Sequence, residues 1–162
     1  MPTPSALPLR LQVINRVVTV LEAITAGASY WFTPGKVSLG FLMIPDMAAF
    51  PCYMVMAGEK GGAIEHQLAV DDHDEDFTIS IKGVVKASKA SDAVTANEKA
   101  LRDIRKAIND DSKSAATGSL GDLTVKAWFT EGPDMDDGYL MQGYGFFDQR
   151  LNVTINGQFG EL

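Results

Sequence analysis

FTISIKGVVKASKASDAVTANEKALRDIRKAIN, residues Phe77 to Asn109, decides how this chain folds. Phe77, Ile79 and Ile81 alternate with Thr78, Ser80 and Lys82, the period of a strand with one face in a core and one in water. Beyond a linker at 87–90, Ala93, Ala96, Ala100, Ile104 and Ala107 recur at spacings of three and four, joined by Leu101 and Ile108. That is the apolar stripe of an amphipathic helix. Lys99, Arg102, Asp103, Arg105 and Lys106 take its other side, which faces water.

Upstream, residues 1–9 carry three prolines and read as an extended arm. A first helix is expected from Leu9 to Thr25, with Leu11, Ile14, Val18 and Leu21 on one stripe, Val13, Val17, Val20 and Ile24 widening it, and Gly27 as its stop. Residues 28–50 show no sustained period. They read as a loop with a short strand near Lys36 to Leu42, and long loops in compact domains are usually functional. Phe50 to Ala57 follows as a buried strand bounded by Pro51 and the turn GEKGG. Ile64 to Val70 is expected to pair with 77–85 through the acidic connection DDHDED, taken as a solvated hairpin tip.

Downstream, DDSKSAATGSLGD reads as a surface loop, Leu123 to Thr130 as a strand and EGPDMDDG as a turn. Tyr139 to Phe147 and Leu151 to Phe159 then form two strands. Together these describe an α+β fold, a mainly antiparallel mixed sheet with two helices packed on one face. Residues 10–162 make one domain, and a chain of that length buries roughly two-thirds of its unfolded surface.

The composition, 46% hydrophobic and 22% charged, is that of a globular protein. A net charge of -7 excludes a protein that grips nucleic acid by neutralising phosphates. The charge is uneven: residues 82–113 hold eight basic and five acidic side chains, and 121–162 hold two and seven. The single Cys52 excludes an internal disulfide and lies in an apolar run as a buried thiol. Arg16 and Glu22 interrupt the first helix, so it is neither a signal-peptide core nor a membrane span, and a cytoplasmic site of synthesis is expected.

Catalytic signatures fail one after another. Asp72, Asp74 and Asp76 have the spacing that opens an EF-hand, but Phe77 stands at the turn glycine and Gly83 at the bidentate glutamate. His66 and His73 are the only histidines, too few for a three-histidine zinc site. No P-loop, dinucleotide fingerprint or G-x-S-x-G occurs. No enzyme activity, cofactor or metal is expected. What remains is self-assembly, with cation binding by the acidic loops as the alternative from another class.

The segments LQVINRVVTVLEAIT, FPCYMVMAGE, FTISIKGVVKASKASDAVTANEKALRDIRKAI and GSLGDLTVKAWFTEGP, in that order, resemble the tail terminator (tail completion) proteins of long-tailed bacteriophages. The likeness runs from Leu9 to Phe159, while residues 28–50 and the longer loop after Asn109 depart from it. It implies a structural virion protein, assembled in the host cytoplasm, that forms a six-membered ring on the head-proximal end of the tail tube. Such a ring ends tube polymerisation and forms the head-tail joining surface. The partners implied are other copies of the chain, the tail tube protein and a head-tail connector protein, with no membrane. Genomic DNA would pass through without specific binding, repelled by a negative wall. Another tail or connector protein is the alternative within the class. The candidate subunit interface sets Arg102, Arg105 and Lys106 against Asp134, Asp136 and Asp137 of a neighbour. Tyr30, Trp31, Phe32, Met43 and Met47 form the candidate partner-contact loop.

Overall fold

The computed structural model describes residues 7–58, 64–65, 72–115, 119–130, 132–136 and 143–158. Its elements in chain order are α1 (Leu9–Glu22), β1 (Lys36–Leu39), a 3-10 turn (Ile44–Asp46), β2 (Cys52–Ala57), β3 (Ile64–Glu65), β4 (Asp72–Lys86), α2 (Ala90–Ser114), β5 (Lys126–Phe129), β6 (Asp134–Asp136) and β7 (Tyr144–Gln158). The described strands form one seven-stranded sheet in which only β1 and β2 run parallel. Both helices pack on one face of it, so the chain is a single α+β domain.

The sheet is built on β4 and β7, 15 residues each, paired from Lys86 opposite Tyr144 to Asp72 opposite Gln158. Phe77, Ile79, Ile81 and Val85 of β4, with Phe147, Leu151, Val153 and Ile155 of β7, point to the helices. They meet Val13, Val17 and Leu21 of α1 and Leu101, Ile104 and Ile108 of α2. Ala93, Ala100 and Ala107 are buried on α2, where a small side chain lets the helix lie close to the sheet. Gly83 sits between Tyr53 and Phe147 on the flanking strands, and a Cβ there would stand 2.0 Å from the Phe147 ring. Only glycine leaves room for that ring at this level.

Several expectations are corrected. The acidic run is no hairpin tip, since Asp72–Asp76 belong to β4 and pair with β7. Glu75, only 8% exposed, takes an ion pair from Arg10 at 3.2 Å, while Asn156 and Thr154 donate to Asp74 and Asp76 at 2.7 and 2.5 Å. Cross-strand polar pairs thus carry the strand where the apolar alternation stops. His66, Asp71 and the expected strand residues 66–70 lie outside the described residues; Ile64–Glu65 pairs with β4, but at Asp74 and Glu75 of the acidic run rather than within 77–85.

The expected break at 148–150 is absent and β7 runs straight through it. Asp148 pairs with Lys82 at 3.0 Å and accepts from Ser80 at 2.7 Å, and Gln149 is bound from α2, so every polar side chain that suggested a turn has a partner in the sheet or on the helix. The turn expected at 131–138 contains β6, paired with β7 at Phe146–Asp148. The strand expected from Leu123 starts at Lys126, after a turn closed by a Ser119–Thr124 bridge.

The first helix stops at Glu22, before Gly27: Ala23 N–H still makes the helical bond to the Thr19 carbonyl, and Ile24 N–H then closes a tighter turn on the Leu21 carbonyl. The second runs on past Asn109 to Ser114. Lys106 bonds Asp110 within it, and Arg16 of α1 grips Asp111 through two nitrogens at 2.5 and 3.3 Å, which raises the guanidinium pKa through the hydrogen bond. Of the expected arm, residues 1–6 lie outside the described residues and Leu9 is already helical. No helix among the described residues is long and apolar enough to cross a membrane.

Candidate functional site

Asp103 was expected on the wet side of its helix and is fully buried. Its Oδ2 accepts the backbone N–H groups of Trp31 at 2.8 Å and Phe32 at 3.0 Å. These amides lie on a loop outside the sheet ladder, and a carboxylate can accept both in charge-assisted bonds. Burial pushes the neighbouring Tyr53 hydroxyl above the ordinary phenol value, and the Asp103 charge adds to the shift. Neither Tyr53 Oη nor Asp103 Oδ1 has a hydrogen-bond partner among the described residues.

That clasp fixes the three aromatic residues named from the sequence. Phe32 packs on the core, Tyr30 lies under Lys106 with Nζ 5.2 Å from the ring centre, and Trp31 lies under Lys99 at 4.4 Å. Trp31 nevertheless remains 54% exposed. The two groups read separately, loop aromatics and helix cations, are therefore one crest along α2, tied together by cation–π contacts.

The three helix cations divide between different tasks. Arg105 donates to Gln149 Oε1 through Nε at 3.1 Å and Nη2 at 2.5 Å, and stands 5.9 Å from the Phe129 ring. Lys106 is bonded to Asp110; that bond raises the ammonium pKa and lowers the carboxylate's. Arg102 is exposed at the top of the crest, three residues beyond Lys99. Sequence reasoning placed Lys99 on the right side of the helix but had no signal joining it to Trp31.

Among the described residues the sheet's other face carries no α-helix. Met47, expected at a contact surface, is buried there beside Cys52, Met54 and Val84, under Leu42, Phe50, Tyr144 and Phe146. Burial raises the Cys52 thiol pKa, and its Sγ lies 2.9 Å from the Ala49 carbonyl oxygen. Met43, by contrast, is 60% exposed and Phe41 67%. Between them and the sheet runs a groove of about 710 Å³ walled by Phe41, Leu42, Met43, Ile44, Met54 and Phe146, with Lys82, Asp134 and Asp148 at its polar margin. A polar trough continues from that margin over Thr78, Ser80, Arg150 and Asn152.

Asp134 stands on that margin with its side chain 81% exposed and Arg150 at 3.7 Å. Asp134 therefore stands across the sheet from α2, and one chain cannot bring it to its own Arg102. Asp136 lies on β6, and Asp137 lies outside the described residues. Among the described residues no three His, Cys, Asp or Glu side chains are grouped to hold a metal ion. A scan of the chain against protein-family models finds no match, and a search of curated proteins finds none.

Proposed function

We propose that this chain is a structural virion subunit that caps the head-proximal end of a phage tail tube as a homo-oligomeric ring, ending tube growth and forming the surface that joins the head. The observation that carries the reading is the exposed apolar rim on the outer face of the sheet. Both described α-helices lie on the opposite side, and Phe41 and Met43 stand 67% and 60% exposed beside an open apolar groove. Such a contiguous apolar rim on a small domain marks a protein-protein contact. The order of segments from Leu9 to Phe159, with its likeness to tail terminators, supplies the identity of the assembly.

In this reading the neighbours are further copies of the chain, the tube protein below and the connector above. DNA passes through the ring unbound, because subunits of net charge -7 repel its phosphates. The chain then does no covalent chemistry. The test is to disable the gene in the phage that carries it and measure tail lengths by negative-stain electron microscopy. Overlong tubes detached from heads are expected; tails of normal length reject the terminator role.

A further inference from the structure

We infer that the apolar groove on the outer sheet face is filled by the Trp31 crest of a second copy, so that copies join head to tail through two unlike surfaces. The inference rests on the reading of the chain as a self-assembling subunit and names the contact that assembly uses.

The two surfaces are complementary in apolar character and in charge. The crest presents one large half-exposed ring, held from behind by the Asp103 bonds to Trp31 and Phe32 and covered on one face by Lys99. The other parts of the indole are open. Asp103 has already fixed the backbone of this loop, so docking would immobilise little that is free, and preorganised aromatic anchors of this type dominate interface energies. The groove offers Phe41, Met43, Ile44 and Phe146 to such a ring, and flexible methionine side chains adapt well to aromatic partners.

Charge favours the pairing. Lys99 covers the ring and exposed Arg102 lies three residues further along α2. The groove margin carries Asp134 and Asp148 against Lys82, so seating the indole brings cations toward a margin of net negative charge, where Asp134 is shared with Arg150 at 3.7 Å. Because crest and groove lie on opposite sides of the sheet, a copy cannot fill its own groove. A contact between unlike patches repeats with every added copy until the rotation closes a ring.

The test uses the full chain, with Trp31→Glu and Phe41→Glu as separate variants. Both positions are more than half exposed, so the fold should persist, and circular dichroism checks it. Sedimentation is followed up to about 1 mM. The wild-type chain is expected to associate, and each variant alone to lose association by about tenfold or more. The decisive sample is an equimolar mixture of the two variants. The intact crest of Phe41→Glu should enter the intact groove of Trp31→Glu, giving a one-to-one heterodimer that cannot grow.

Other results overturn the inference in distinguishable ways. If Phe41→Glu alone still forms homodimers, crest meets crest; if Trp31→Glu alone does so, groove meets groove. A wild-type chain that stays monomeric throughout leaves the groove to a different occupant. Tail length in the gene-disrupted phage is independent of all these outcomes, so the terminator role can stand while this contact falls, or the reverse.

Discussion

Replacing Asp103 with alanine should detach the aromatic crest from α2. Two backbone donors, Trp31 N–H and Phe32 N–H, lose their acceptor, and a hydrogen bond to a charged group contributes about 1.5–3 kcal/mol. The gross loss is therefore about 3–6 kcal/mol. Part of it is offset, because a fully buried carboxylate with one unpartnered oxygen carries a desolvation cost that alanine does not. A net destabilisation of about 2–4 kcal/mol follows, which in a domain of this size lowers the melting temperature by about 5–12 °C. Asp103→Asn keeps an acceptor oxygen in place and should lose less than half as much. Urea and thermal unfolding give the magnitudes, and hydrogen exchange at the Trp31 and Phe32 amides gives the location. If Asp103→Ala unfolds within about 0.5 kcal/mol of wild type, or loses stability while those two amides stay protected, the clasp is not what holds the crest.

Two further substitutions probe the sheet. Gly83→Ala puts a methyl group 2.0 Å from the Phe147 ring, a collision only a shift of a buried aromatic can relieve, and should cost about 1–3 kcal/mol by urea unfolding; unchanged stability would mean that the ring moves freely. Tyr53→Phe removes a buried hydroxyl without a described partner and should raise stability by about 1 kcal/mol. The same substitution tests pH dependence. The folded chain keeps the Tyr53 proton above the ordinary phenol value of about 10, whereas the unfolded chain releases it there, so stability falls as pH rises past that value. Urea midpoints from pH 8 to 11 should therefore decline less steeply in Tyr53→Phe than in wild type.

How much of this was legible depended on where apolar and polar residues met regular spacing. Phe77, Ile79 and Ile81 announced a strand because their faces differ, and the alanine stripe announced α2. The strand's extension through Asp72–Asp76 was silent, since its support comes from Arg10, Thr154 and Asn156, residues far away in sequence. Asp148-Gln149-Arg150 looked like a turn for the same reason: their partners lie on β4, α2 and β6. In the site, Trp31 and Met43 were legible as large apolar residues in an aperiodic stretch, and both are exposed. Met47 was not separable from them without knowing that Cys52 and Met54 lie beneath it. Asp103 shares the helix register of Lys99 and Lys106, and only the loop crossing above it makes a carboxylate there an internal acceptor.

The pairing of β4 with β7 also governs how the chain must reach this state. Residues that face each other there are 58 positions apart at the Lys86–Tyr144 end and 86 apart at the Asp72–Gln158 end. Contacts of such long range form late, after the loop between them has been closed, and domains dominated by them fold in milliseconds to seconds rather than microseconds. During synthesis α1, β1, β2, β4 and α2 all emerge before β7 exists, so the centre of the sheet waits with one edge open. On that waiting edge Asp72, Asp74, Glu75 and Asp76 form a run of negative charge, and like charges repel the same edge of another unfinished chain. Beyond the contacts it makes in the finished domain, the acidic half of β4 thus disfavours pairing of the nascent chain with a wrong strand before its own arrives.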